Sequence, residues 1–204
     1  MKIGIIDADI GNIQSLYYCI KKIGHDPIVS SKPSELINMK KLIFPGVGAF
    51  DAIYENVKKK NLLELFNKIV VLNKPLLGIC VGFQLLAESS IENKVTPGLK
   101  IIKGNIRPIK EFCNNLSVPH VGWNSCNIIN KSNLFDGIEN NSDFYFTHSY
   151  YLVSKENKCI STLTNYGDDF ISSVKINNIY GVQFHPEKSQ KNGLILIKNF
   201  IEKC

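Results

Sequence analysis

No two cysteines of this chain stand in a C-x-x-C pair. The six, Cys19, Cys80, Cys113, Cys126, Cys159 and Cys204, are spread along the whole length, which argues against a zinc cluster and against the disulfide framework of a small secreted domain. Long apolar runs are missing too, and none approaches the ~20 residues that would span a bilayer. The N-terminus carries no signal-peptide pattern and enters directly a strand-like Lys2-Ile3-Gly4-Ile5-Ile6-Asp7. There is no basic stripe interleaved with aromatics. The net charge is +6, yet only Lys58-Lys59-Lys60 form a run, at a place where a helix should end and lysines complement its dipole. Nucleic acid is therefore not expected as a partner. What remains is a reduced, cytoplasmic protein with no expected metal, cofactor or membrane contact.

What is present has an ordinary globular balance, 44% hydrophobic and 21% charged over 204 residues, enough for one domain, 1–204, with a real core. Ile3 to Ile6 reads as a strand covered on both faces. After the break Asp7-Ala8-Asp9-Ile10-Gly11-Asn12, the residues Ile13, Leu16, Tyr17 and Ile20 recur at helical spacing until Gly24. His25 reads as a surface histidine in the following turn. Ile28-Val29 and Leu42-Ile43-Phe44 are further strands, and Leu62, Leu65, Phe66, Ile69 and Val70 mark an amphipathic helix. Alternating strands and helices indicate βαβ units and a parallel sheet. From Leu99 the texture changes. Short runs at Lys100–Ile109, Asp143–His148, Ile160–Thr164, Phe170–Lys175 and Ile179–Phe184 predict strands with some antiparallel pairing. Gly193 to Cys204 closes the chain as a helix. The expected class is α/β, a mostly parallel central sheet flanked by helices, with additional antiparallel strands in the second half.

The chemistry is concentrated in three stretches. In Leu76-Leu77-Gly78-Ile79-Cys80-Val81-Gly82-Phe83-Gln84 a buried strand runs into a helix through G-x-C-x-G, the thiol version of a nucleophile elbow, which lifts Cys80 clear of the sheet. A lone cysteine in such a run is usually a small buried hydrophobe; the paired glycines favour a nucleophile. In Gln183-Phe184-His185-Pro186-Glu187 a strand ends on a histidine with a carboxylate two positions on. Extended backbone would put both side chains on one face, so Glu187 could hold the ring of a base or acid partner to Cys80. Pro45-Gly46-Val47-Gly48 follows another strand, and its backbone N–H groups, with that of Val81, could receive an oxyanion. At the carboxyl edge of an open α/β sheet such turns gather.

These three stretches together resemble the class I (triad) glutamine amidotransferases. Gly11-Asn12, Pro119-His120-Val121-Gly122-Trp123-Asn124, Tyr145-Phe146-Thr147-His148-Ser149-Tyr150 and Phe184-His185-Pro186-Glu187-Lys188-Ser189 narrow the resemblance to the glutaminase subunits of imidazole glycerol phosphate synthases. It covers nearly the whole chain. It implies a flavodoxin-like core and a Cys80–His185–Glu187 triad that cleaves L-glutamine through a thioester, with Gly46, Val47 and Val81 at the oxyanion. Gln84, Glu92, His148, Ser149 and Tyr150 match positions that hold glutamine. Asn12, Trp123, Asn124, Tyr145 and Lys188 match a docking and gating surface for a (β/α)₈-barrel synthase subunit that takes the ammonia in a heterodimer. Ala8 and Asp9 stand where the family usually has a Tyr and a small residue, Val81 and Phe83 where Leu and Met are usual, and Thr147 where Val is common. No catalytic group is lost. Relatives with the same core serve synthases of amidino sugars for surface glycans, which makes a different acceptor enzyme the alternative expectation; a non-catalytic regulatory subunit is a further one, which the intact triad opposes.

Overall fold

Continuous apolar runs in the first half become strands buried on both faces, as parallel strands covered by helices must be. The structure is a computed structural model describing residues 2–9, 11–113 and 116–204; Ile10, within the break expected after the first strand, lies outside the described residues. In chain order the elements are β1 (Ile3–Ile6), α1 (Ile13–Lys22), β2 (Pro27–Ser30), α2 (Pro33–Leu36), β3 (Lys41–Gly46), α3 (Phe50–Lys59), α4 (Leu62–Val71), β4 (Leu76–Cys80) and α5 (Val81–Gln84). Then follow β5 (Ser89–Ser90), β6 (Thr96–Pro97), β7 (Asn105–Pro108), β8 (His120–Ile128), β9 (Ser142–His148), β10 (Tyr150–Val153), β11 (Ile160–Asn165), β12 (Asp169–Ile176), β13 (Ile179–Val182) and α6 (Gln190–Lys203).

Strands β2-β1-β3-β4-β13 are parallel neighbours, the doubly wound order in which ligands collect at the carboxyl ends. Beyond β13 the sheet turns antiparallel through β12, β10 and β7. A side branch leads from β12 through β11 to β8, which pairs with β9 over seven residues from His120↔His148 to Cys126↔Ser142. The expected α/β class with antiparallel additions is the class observed. Among the described residues no helix is long and apolar enough to cross a membrane.

Details differ where burial is uneven. Within Lys100–Ile109 only β7 is strand. Val70 lies at the outer margin of its helix, 44% exposed, and the face against the sheet is Leu62, Leu65, Phe66 and Ile69. The Gly122-Trp123-Asn124 stretch is the middle of β8. The helix after the elbow is a single turn, after which the backbone bends away. All six cysteines are free thiols.

Candidate active site

Cys80 ends β4 with φ 53° and ψ −113°. A side chain rarely adopts that backbone, and the strain persists only where the surroundings impose it. Here they do. A Cβ on Gly82 would lie 2.0 Å from the carbonyl oxygen of Phe44, and one on Gly78 would lie 2.8 Å from the Cα of Phe83. Only glycines on both sides let α5 fold back onto β3 and β4 this tightly. Gly46 pairs directly opposite Cys80 across β3 and β4.

His185 follows β13, the parallel neighbour of β4 on its other side. Its φ of −103° and ψ of 94° are extended, as a residue before proline should be. The carboxylate contact arises differently from expectation: Pro186–Lys188 forms a 3₁₀ turn rather than extended chain. That turn swings Glu187 back so that its Oε1 lies 2.8 Å from Nδ1 of His185, both side chains being almost fully buried. The loop is stapled in place. The His185 N–H donates to the carbonyl of Tyr145 at 2.8 Å, Ser189 Oγ–H donates to the His185 carbonyl at 2.6 Å, and the Tyr145 N–H donates to Ser189 Oγ at 2.9 Å.

Electrostatics set the charge on the ring. Burial pushes the His185 imidazole down; the neighbouring Cys80 sulfur, then the Glu187 carboxylate bonded to Nδ1, overcome it and hold the group up at about 10. The other ring nitrogen, Nε2, is buried without a formed hydrogen bond. A histidine so placed is cationic at neutral pH and can deliver a proton.

A small cavity of about 250 Å³ opens over the sulfur, and it brings together Val47, Cys80, Val81, Gln84, Glu92, His148, Ser149 and Tyr150. Glu92 reaches it from beyond the elbow, its Oε2 accepting from the Phe50 N–H at 3.0 Å, and burial raises its carboxyl above the usual range against the pull of that N–H. Another hollow, about 620 Å³ along residues 128–140, contains none of these groups. Among the residues expected at a docking face, Trp123 meets Tyr145 edge-on with ring centroids 6.0 Å apart, and the Lys188 ammonium lies 5.7 Å over the Tyr145 ring. Trp123 is 47% exposed. Asn124 turns inward instead, donating to His120 and to the Asn165 carbonyl. Asn12 caps α1, accepting from the Ser15 N–H at 3.3 Å.

Gln183 was not singled out from the sequence. It is fully buried, accepts from Gln84 Nε2 at 2.9 Å and aims its own amide at Cys80 Sγ, 3.7 Å away. Its signal was an uncharged polar residue inside the apolar run Tyr180 to Phe184, next to more conspicuous ionisable groups.

The glutamine amidotransferase class-I family model matches residues 4–204. An imidazole glycerol phosphate synthase subunit HisH 2 of Methanococcus maripaludis is 45% identical over 204 residues, covering 99% of this chain and all of the relative. The HisH subunit of Methanocaldococcus jannaschii is 44% identical over 98% of both chains. A solved glutamine amidotransferase superposes with a TM-score of 0.76 at 18% identity, over 98% of this chain and 97% of its own, which speaks to the fold alone.

Proposed function

The chain belongs to the class I glutamine amidotransferase family, and from that membership we propose that it is the glutaminase subunit of an imidazole glycerol phosphate synthase, in histidine biosynthesis. Cys80 Sγ attacks the side-chain amide carbon of L-glutamine. The oxyanion rests on backbone N–H groups of the Gly46–Val47 turn and of Val81. His185, cationic and braced by Glu187, gives its proton to the departing ammonia, leaving a glutamyl thioester. Water, losing a proton to the now neutral His185, attacks the thioester carbon, and glutamate leaves as the Cys80 sulfur is restored. Glu92, Ser149 and Tyr150 hold the amino-acid end, while Gln84 and His148 form the wall. Ammonia passes to a (β/α)₈-barrel synthase subunit docked over Asn12, Trp123, Asn124, Tyr145 and Lys188, in the reducing setting that six free thiols suit.

One observation carries this reading. A strained cysteine and a buried His–Glu pair stand at the carboxyl ends of two adjoining parallel strands. The test is reconstitution with a barrel synthase and its acceptor ligand, measuring glutamate and transferred ammonia. Slow hydrolysis by the lone chain and a large stimulation in the complex are expected. Cys80→Ala should lower hydrolysis to background with the fold intact by circular dichroism. Normal turnover in that variant removes the nucleophile; stimulation only by a synthase of another product class reassigns the acceptor.

A further inference from the structure

Behind the cavity wall runs a line of polar contacts for which the triad has no need. Its protonation states follow from the partners. The Tyr150 carbonyl can only accept, so the 2.8 Å contact from His148 Nδ1 requires a proton on that nitrogen. Nε2 of His148 is then a lone pair in the neutral ring, and the 3.0 Å contact makes His120 Nδ1–H its donor. Nε2 of His120 must in turn accept, which it does from Asn124 Nδ2 at 3.3 Å; the same amide donates to the Asn165 carbonyl at 2.8 Å. From the Tyr150 carbonyl the line continues to the nucleophile. Gln84 Nε2 donates both to that carbonyl at 3.0 Å and to Gln183 Oε1 at 2.9 Å, and Gln183 donates to Cys80 Sγ.

We propose that His120 is a positioning residue for the nucleophile: it joins the half-exposed Asn124 of β8 to the Gln183 amide that donates to Cys80 through one continuous line of hydrogen bonds. The inference deepens the proposed function and rests on it for its meaning. Every link is buried or half-buried and each has one permitted donor, so a shift at Asn124 cannot be absorbed by a flipped ring without leaving a buried polar atom unpaired. The outer end of the line sits beside Val121 and Trp123, the exposed apolar residues of β8. Whatever seats that strand also sets the donor beneath the sulfur.

A packing role is the competing account, because the His120 ring also stacks on Tyr166 at 4.0 Å and on Phe146 at 4.9 Å. Two substitutions separate them. His120→Phe keeps the stacked ring and removes the donor; His120→Asn removes the ring and keeps an N–H near the Nδ1 position. The readout is the rate at which iodoacetamide alkylates Cys80 in the full chain at neutral pH, followed by peptide mass, with the other five cysteines as internal controls. His120→Phe should slow Cys80 alkylation about tenfold, the loss of one buried hydrogen bond, and His120→Asn should stay within about twofold of wild type. The reverse order, or a wild-type rate in His120→Phe, overturns the proposal. If His120→Phe does not fold, Asn124→Leu, at a half-exposed position, should slow alkylation about threefold, and an unchanged rate there overturns it equally. Glutamine turnover of the complex, measured alongside, keeps the two readings apart. Alkylation that follows the expected order in a protein with no glutaminase activity supports the line and defeats the function.

Discussion

The imidazole of His185 carries two opposing demands: burial favours the neutral ring, whereas its task requires a proton to give. Cys80 and Glu187 decide the contest in favour of the cation. Glu187→Gln is the direct probe, because an amide of the same shape holds the ring without supplying charge. The folded-state value of His185 should fall, so the basic limb of the kcat/KM profile moves to lower pH, and kcat should drop roughly a hundredfold, within the range ascribed to positioned acid–base groups. A basic limb that stays where it was would show that Glu187 does not set the charge of the ring. At this scale the sequence was legible wherever a residue was both ionisable and framed by backbone punctuation. Cys80 stood between glycines and His185 before a proline, and both cues are local. Gln183 lacked either. Its importance comes from Gln84 on another element and from the sulfur above it, contacts spanning 99 and 103 positions that no local pattern encodes.

Among the elements, the elbow is the one whose construction is least forgiving. Gly82→Ala would place a methyl group 2.0 Å from the Phe44 carbonyl oxygen, and neither α5 nor β3 can retreat without parting from β4. A loss of about 3 kcal/mol or more is expected, at the upper end for overpacking, read as a lower urea midpoint with unchanged slope. An unshifted midpoint would mean that the turn is looser than its contacts imply. The elements also differ in how openly the sequence declared them. β1, β3 and β4 are buried on both faces, and their continuous apolar runs were sufficient signal. In strand β8 burial alternates, but hydropathy runs against it. Val121 and Trp123 are exposed, while Asn124 and Ser125 are half-buried through hydrogen bonds rather than through apolar contact. A strand that keeps its large apolar side chains outward and polar ones inward withholds the apolar-in, polar-out pattern on which strand reading depends.

Across the whole molecule, the histidine line imposes a cost at acid pH that has a definite sign. Burial, with the charges of His120 and His185 adding to it and the Tyr150 carbonyl opposing, depresses His148 to about 3; burial depresses His120 to about 4. Unfolded histidines titrate near 6.5. Between that value and the folded ones, the unfolded chain binds protons that the native chain refuses, so stability is complete above pH 6.5 and declines as pH falls. His148 alone contributes a slope of about 1.4 kcal/mol per pH unit in that window, roughly 3 °C of Tm per unit for a chain of this size. His185 works in the other direction and elsewhere: with a raised value its contribution is complete below 6.5 and is lost only toward pH 10, so it leaves the acid window untouched. Carboxylates titrate alike in wild type and variant and cancel in the difference. In His148→Asn an amide N–H can still meet the Tyr150 carbonyl, but nothing titrates. Its Tm, whatever its level at pH 7, should therefore fall less steeply between pH 6.5 and 4.5, by about 3 °C per unit. Parallel lines would mean that water reaches the ring and that His148 protonates in place. A protonated His148 would set a second cation against His185 in the wall of the nucleophile's cavity, so the low value that weakens the fold in acid is the same property that keeps the charge of this site on one imidazole.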